Sequence, residues 1–188
     1  MKNVEQELKL SLDEREYNML LEQAHAEPQL QTNFYFSYRN MPREVMVRIR
    51  KKGDVYTLCY KRNMTQIEGV AVSDERECEL DPLYADTMLK RGISKLELKR
   101  ILDVDLDDDL DLVGSLDTYR VKFQLMEWTL ELDKNVYLNC VDYELECEHK
   151  DVVQLDKLKN YLYYAFGVVI RPSQPKVRRF MRTLFDRV

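Results

Sequence analysis

Charged side chains recur at every second position in most of the segments that are predicted to form β-strands. Arg48 and Arg50 flank an isoleucine, and Glu144 and Glu146 flank a leucine. Successive side chains of a strand point to opposite faces of its sheet, so this spacing places the charges on one face and the apolar residues on the other. The chain must therefore form a sheet whose two faces differ sharply in polarity.

The whole chain contains about eight such strands, mostly antiparallel, interrupted by amphipathic helices. Gly53-Asp54 is a favoured two-residue hairpin turn, and we expect another turn near residues 133–135. A helix is predicted after Ser11, whose spacing from Glu14 is that of a capping box. A second helix is predicted over residues 81–92, and the same periodicity predicts two more toward the carboxyl terminus. This content is typical of the α+β class.

The apolar face of the sheet is the surface on which these helices would pack. The charged face carries few uncharged polar residues, and its acids and bases are segregated by strand. One strand of this kind would be ordinary in a sheet with a solvated face. For the whole set we favour a charged face folded inward, because about eight antiparallel strands can close around one small ligand. We therefore predict a closed eight-stranded antiparallel β-barrel, a tunnel with helices packed outside, and a single domain over residues 1–188.

Charges inside a barrel are tolerated only when they pair with each other or with a charged ligand. Carboxylates suit Mg²⁺ or Mn²⁺, whereas arginine and lysine suit phosphate groups. Acids beside bases therefore predict a divalent cation beside a polyphosphate, which is the chemistry of phosphoryl transfer. The candidate metal ligands are Glu5, Glu7, Asp133, Glu144 and Glu146, and the candidate phosphate contacts are Lys9, Arg48, Arg50 and Lys61.

Composition excludes several other classes of protein. The net charge of -5 argues against a binder of nucleic acid or of anionic membranes. The chain has no apolar run of about 18 residues and no leader of signal-peptide type, so we expect a cytoplasmic protein without membrane spans. The acidic run over residues 103–114 departs from a calcium loop at Asp108 and Gly114, and we interpret it as a solvated connection. The choice between a monomer and a homodimer stays open.

The charged motifs, taken in order, resemble those of the CYTH domain, the family of triphosphate tunnel metalloenzymes. The resemblance covers essentially the whole chain and is strongest to small, single-domain bacterial members. The matching segments are E-x-E-x-K (Glu5, Glu7, Lys9), VRIR (Arg48, Arg50), Lys61, TYR (Arg120), ELD (Asp133), YELECE (Glu144, Glu146) and PKVRRF (Lys176).

The resemblance implies a tunnel of eight antiparallel strands with helices outside, in agreement with the alternation argument. It implies hydrolysis of a triphosphate with Mg²⁺ or Mn²⁺, and it adds Arg120 and Lys176 to the candidate phosphate contacts. Members of the family hydrolyse inorganic triphosphate, thiamine triphosphate or nucleoside triphosphates, and some cyclise ATP. The residues that it implies for catalysis are Glu5, Glu7, Lys9 and Glu146.

Several alternatives stay open at this point. The only tryptophan, Trp128, is predicted to point outward rather than to stack on a ligand, which favours inorganic triphosphate over thiamine triphosphate. An adenylate cyclase of the same fold is a second possibility. A non-catalytic module that binds polyphosphate or nucleotide is a third, although such a module needs bases more than five carboxylates. Two positions are undecided: Glu75, Glu77 or Glu79 on the fifth strand, and Arg120 or Lys122 on the sixth.

Overall fold

The computed structural model describes residues 6–67 and 70–186. None of the helices in these ranges is both long and apolar enough to cross a membrane. The elements are, in chain order, β1 (Gln6–Leu12), α1 (Glu14–Ala24), β2 (Gln29–Ser37), β3 (Val45–Lys52), β4 (Val55–Ile67), β5 (Val70–Leu80), α2 (Pro82–Arg91), α3 (Lys95–Leu102), β6 (Asp111–Leu125), β7 (Trp128–Tyr137), β8 (Cys140–His149), α4 (Val152–Phe166) and α5 (Lys176–Phe185).

The strands form one eight-stranded sheet in the order β1-β8-β7-β6-β2-β3-β4-β5. The predicted number of strands and their antiparallel pairing are confirmed. In the part of the chain that the structure describes, β1 and β5 are the two edges of the sheet and do not pair with each other. The prediction of a closed eight-stranded barrel is therefore wrong, because the sheet is open.

The outer edge of β1 is occupied by a later segment of the chain. The backbone N–H of Ser11 donates to the carbonyl of Arg171 at 2.8 Å, and that of Ser173 donates to the carbonyl of Lys9 at 3.0 Å. A barrel closes only when its first and last strands exchange backbone hydrogen bonds. Here residues 171–173 use the groups of β1 that such closure would need.

The chain packs as two compact units. The first comprises Met1–Leu30 and Asp117–Val188, and the second comprises Gln31–Leu116. The residues of each unit pack more closely with one another than with the other unit, which does not test the number of domains. The single domain over residues 1–188 therefore stays a prediction.

The core of the first unit lies between its apolar sheet face and the helices α1 and α4. Leu10, Leu130 and Leu145 come from three strands and are at most 1% exposed. They cluster with Leu158 and Leu162 of α4, which lie one helical turn apart on one face of that helix. Burying a leucine stabilises a fold by about 1.5–3 kcal/mol, so this cluster fixes which face of the sheet the helices cover.

The second unit packs β3 and β4 against α2 and α3. The ends of α2 lie where the sequence predicts them. Asp81 caps its start by accepting hydrogen bonds from the backbone N–H groups of Leu83 and Tyr84. Gly92 ends it with a φ of 86°, and a Cβ at that position would lie 2.4 Å from the carbonyl oxygen of Leu110. Only glycine avoids both the strained backbone and this clash.

The predicted start of α1 is wrong by two residues. The capping box is formed by Asp13 and Glu16 rather than by Ser11 and Glu14. Ser11 cannot cap the helix because it is still part of β1, where it pairs with β8.

The predicted turn at residues 133–135 is also wrong. β7 runs unbroken from Trp128 to Tyr137, and the connections on either side of it are residues 126–127 and 138–139. Met126 and Asn139 take positive φ values of 54° and 55° in these short connections. Positive φ is what tight hairpin turns require, so the backbone reverses there although residues 133–135 have more turn-like side chains.

A hydrogen-bonded carboxylate joins α3 to α2. Glu97 accepts hydrogen bonds from Arg91, from the Tyr84 hydroxyl and from the backbone N–H of Ser94. The bond from Arg91 is the main cause that holds the pKa of Glu97 well below its usual range, against the opposite effect of burial. A carboxyl with a lowered folded pKa stabilises the fold above its unfolded pKa of about 4.3, and that stability is lost as the pH falls toward the folded pKa.

We expect Glu97→Gln to lower the free energy of unfolding at pH 7 by about 1 kcal/mol, because it removes the carboxylate of a capping box. The difference from the unaltered protein should shrink below pH ~4. Urea denaturation at pH 7 and at a pH below ~4 measures the free energy of unfolding of both proteins. Glu127→Gln changes an exposed residue between β6 and β7 and is the matched control. A difference of equal size at both pH values would contradict the role of the charge.

Candidate functional site

The register of β1, β8 and β7 gathers charged side chains on one face of the first unit. Lys9 of β1 lies opposite Glu146 of β8, and Glu146 lies opposite Glu131 of β7. Two residues further along the same pair of strands, Asp133 of β7 lies opposite Glu144 of β8. Residues that pair in register project to the same face of a sheet, so the predicted alternation places these groups side by side.

Three carboxylates form the centre of this face. Asp133 and Glu144 have no exposed surface, and Glu146 is 8% exposed. Each offers an oxygen, and these three oxygens lie within 4.8 Å of one another. Hard carboxylate oxygens at this density are the donor set that Mg²⁺ and Mn²⁺ prefer. The donor set therefore fits a divalent cation.

Lys176, at the start of α5, forms ion pairs with all three carboxylates. Its Nζ lies 2.9 Å from Asp133 Oδ2, 2.6 Å from Glu144 Oε1 and 2.5 Å from Glu146 Oε1. Burial opposes the charged form of Lys176, but Asp133, Glu144 and Glu146 outweigh it, so the pKa of Lys176 lies above its usual value. This ammonium is a counter-charge that all three carboxylates share.

Arg120 of β6 holds the opposite side of the cluster. Its Nε and Nη2 form a fork on Asp133, at 2.7 and 2.6 Å, and Nη2 also lies 2.9 Å from Glu146. Burial works against its charge, but these carboxylates raise the pKa of Arg120 further above its usual value. Lys122, the other candidate on this strand, contacts Glu131 at 3.3 Å and is 64% exposed. Arg120 is therefore the base of β6 that contacts the cluster, through Asp133 and Glu146.

Lys9 approaches the cluster from β1. Its Nζ lies 3.0 Å from Glu146 and 3.1 Å from Glu7. Burial opposes its charge, but the neighbouring carboxylates, Glu146 first among them, raise the pKa of Lys9. Glu7 is exposed, and Glu5 lies outside the described residues. Burial alone would raise the pKa of Glu146. A hydrogen bond with Glu144 and the charges of Lys176, Lys9 and Arg120 outweigh burial, so this pKa lies well below its usual range.

A cavity of about 480 Å³ adjoins this cluster in the first unit. The residues that line it include two acids, Glu131 and Glu146, and three basic residues, Lys122, His149 and Lys150. The cavity therefore offers space beside the carboxylates for a small charged ligand.

The other predicted bases lie in the second unit and share a face there. Arg48 pairs with Cys59 across β3 and β4, and Arg50 pairs with Thr57. Arg50 Nε donates to Asn33 at 3.4 Å, while Arg48 Nε is buried without a hydrogen-bond partner. A buried donor of this kind is costly unless a ligand satisfies it.

Lys61 completes this basic face. Its Nζ lies 2.7 Å from Glu75, which pairs with it across β4 and β5. Glu77 and Glu79 follow on the same face, and all three acids are exposed. A common cavity for these bases and the three carboxylates stays a prediction.

Sequence reasoning missed four residues that touch the cluster or its bases. Arg179 lies three residues after Lys176, and that spacing puts both on one side of a helix. The other three could have been found from strand alternation or from proximity to the PKVRRF segment. They are Glu131, which contacts Arg120, Asp142, which contacts Arg179, and Ser173, which contacts Glu144.

The ion pairs of Lys176 predict a large effect on stability. Removing one partner of a buried ion pair costs about 3–5 kcal/mol, because the remaining charge stays buried without compensation. We expect Lys176→Met to lower the free energy of unfolding by about 3 kcal/mol, measured by urea denaturation at pH 7 with EDTA. Lys157→Met changes an exposed lysine of α4 and should have little effect. Equal midpoints for Lys176→Met and the unaltered protein would contradict the buried pairs.

The fold is similar to solved structures of low sequence identity. A candidate adenylate cyclase from Bacillus halodurans superposes with a TM-score of 0.71 at 21% identity, over 95% of this chain and 96% of that one. The candidate adenylyl cyclase HpAC1 from Hippeastrum, described with a dominant triphosphatase activity, gives 0.72 at 23% identity over 94% of both chains. The PH1819 protein from Pyrococcus horikoshii OT3 gives 0.59 at 16% identity, over 95% and 98%.

No curated protein matches the chain significantly. The sequence model of the CYTH domain, in contrast, matches residues 3–181. This match spans nearly the whole chain and includes the three buried carboxylates and the bases around them. The chain therefore belongs to the CYTH domain family.

Proposed function

We propose that this protein is a divalent-metal-dependent hydrolase of a triphosphate, with inorganic triphosphate as the favoured substrate. The observation that carries the proposal is the cluster of Asp133, Glu144 and Glu146, three buried carboxylates within 4.8 Å of one another. A sheet face that served only solubility would leave such groups in water, because their burial is costly without a charged partner.

Asp133, Glu144 and Glu146 would hold the cation, together with Glu7 of β1 and with Glu5, which lies outside the described residues. When bound, Mg²⁺ or Mn²⁺ supplies positive charge that stabilises the charge developing on phosphoryl oxygens. The carboxylates act by fixing the position of that charge. Glu146 is suited to this task because its pKa is held low, so it stays ionised at neutral pH.

The bases would bind and orient the polyphosphate. Lys9, Arg120 and Lys176 already lie against the carboxylates, at distances between 2.5 and 3.8 Å for the two lysines. Phosphate oxygens are acceptors of the same kind as carboxylate oxygens, so these donors can exchange one for the other. Arg48, Arg50 and Lys61 would contribute further phosphate contacts, and the unsatisfied Nε of Arg48 supports such a role.

The position of Trp128 supports inorganic triphosphate as the substrate. It is 4% exposed and packs beside Tyr161 of α4, with 6.0 Å between the ring centroids. It thus lies in the apolar core, as the alternation predicts, and is not available to stack on a thiamine or adenine ring. The similar proteins named as cyclases make ATP cyclisation the alternative to test.

An assay of products decides between these activities. The protein is incubated separately with tripolyphosphate, thiamine triphosphate and ATP, each with Mg²⁺ or Mn²⁺, and every product is identified. We expect the fastest turnover for tripolyphosphate, with orthophosphate and pyrophosphate as products. Cyclic AMP formed from ATP would establish the cyclase instead. No turnover of any of the three substrates would contradict the proposed hydrolase.

The acids and the bases should differ in how added metal affects their variants. Glu146→Gln removes the charge of a proposed ligand with little change in volume, so turnover should fall and a higher metal concentration should restore part of it. Arg50→Ala should weaken use of the substrate by roughly ten- to hundredfold, the effect of losing one charge-assisted contact. Added metal should not restore this variant. Steady-state kinetics across an Mn²⁺ titration separates the two patterns.

Two matched controls accompany these variants. Glu127→Gln and Arg62→Ala make the same chemical changes at exposed positions, and both should keep the kinetics of the unaltered protein. If Glu146→Gln and Arg50→Ala also kept them, the assignment of these residues would be wrong.

A further inference from the structure

Glu144 uses its two carboxylate oxygens for different partners. Oε1 lies 2.6 Å from Lys176 and 3.8 Å from Lys9, on the side of the three-carboxylate cluster. Oε2 lies 2.5 Å from Nη1 of Arg179 and accepts a hydrogen bond from the Ser173 hydroxyl at 3.1 Å. The side chain is fully buried, so its orientation is set by these contacts and not by water.

The orientation of the Arg179 side chain is itself fixed by several hydrogen bonds. Its Nε and Nη2 form a two-pronged contact with Asp142, at 3.0 and 3.1 Å, while Nη1 reaches Ser173, Glu144 and the carbonyl of Gln174. Only 13% of this side chain is exposed. A planar guanidinium held at both ends has one orientation, because its donors form a fixed fork.

Asp142 is held in turn by two residues of β7. Its Oδ1 accepts a hydrogen bond from Asn135 at 2.9 Å, and its Oδ2 accepts one from the Tyr137 hydroxyl at 2.7 Å. Asn135 is fully buried and accepts a hydrogen bond from Thr118 at 2.8 Å. Both oxygens of Asp142 are therefore saturated, since each also accepts from Arg179. Asn135 and Tyr137 thus fix the orientation of Asp142, and Asp142 fixes that of Arg179.

We propose that Arg179, anchored by Asp142, is a positioning residue that orients Glu144 so that Oε1 is the oxygen offered to the divalent cation. This inference rests on the proposed function, because it assigns the task of Arg179 in the same site. Neither Arg179 nor Asp142 is itself a ligand. Outer partners that orient a ligating carboxylate typically change metal affinity by 10–100-fold when they are altered.

The test must separate orientation from charge. Removing a cation near the site would by itself favour a bound divalent ion, so the informative variant is Arg179→Lys, which keeps the charge and loses the planar fork. We expect Arg179→Lys to bind Mn²⁺ about tenfold more weakly or worse, measured by isothermal titration of the full chain without substrate. Arg178→Lys makes the same change at an exposed neighbour on α5 and should leave the affinity unchanged.

Asp142→Asn supplies the second arm of the test. It removes the carboxylate charge that anchors Arg179, and it should also weaken Mn²⁺ binding about tenfold. In the Arg179→Lys background it should add little, because both changes act through the same contact. A purely structural role would lower the melting temperature of these variants and leave the Mn²⁺ affinity of the folded protein unchanged.

The outcomes distinguish this inference from the proposed function. Unaltered Mn²⁺ affinity in folded Arg179→Lys and Asp142→Asn, with tight binding by the natural sequence, would overturn the positioning role and leave the hydrolase intact. Additive losses in the double variant would also overturn it. If the natural sequence bound no Mn²⁺, the proposed function would fail and this inference with it.

Discussion

The burial of three carboxylates side by side is the constraint on which the first unit depends. Asp133, Glu144 and Glu146 could not share a buried position without compensating charge. Lys176 and Arg120 supply that charge, and each contacts more than one of the acids. The bases that would bind a polyphosphate thus act as counter-ions of the acids that would bind a metal. A metal–polyphosphate ligand brings both signs of charge, so it can replace both sets of partners while the site stays neutralised.

One short segment connects the architecture of the sheet to this site. Residues 171–173 occupy the edge of β1 through backbone hydrogen bonds, and α5 begins soon after, at Lys176. Residues 171–173 therefore end the sheet on that side, and the helix that follows them places Lys176 and Arg179 against the carboxylates. Phe180 is fully buried and lies near Tyr137, with 6.2 Å between the ring centroids. This apolar contact holds α5 so that Lys176 and Arg179 face the acids.

The error about the closed barrel has a definite physical origin. The sequence argument assumed that a charged face must be folded inward by closure of the strands. In the first unit α5 and the segment before it cover the acids instead, and the sheet stays open. Burial of charge requires compensation and exclusion of water, and a helix with two cations provides both without closure.

Much of the site could be predicted because strand alternation is a property of the backbone. Once β6, β7 and β8 pair in antiparallel register, Arg120, Asp133 and Glu144 must project to one face. The ends of α2 were predictable for the same kind of reason, since Asp81 and Gly92 satisfy local needs of a helix terminus. In the middle of β7, local turn propensity was misleading, because pairing on both sides kept the strand extended.

The sequence by itself determined the number of strands, the alternation that puts charges on one face, and the chemistry that the charges suit. Only the tertiary structure decided that the sheet stays open, that Lys176 lies among three carboxylates, and that Arg179 and Asp142 support Glu144. The physical reason is range: alternation and caps act over a few residues, whereas Arg179 and Asp142 are 37 residues apart in the chain. Contacts between such distant residues form only when strands and helices pack, and no local pattern encodes which partner each charge meets.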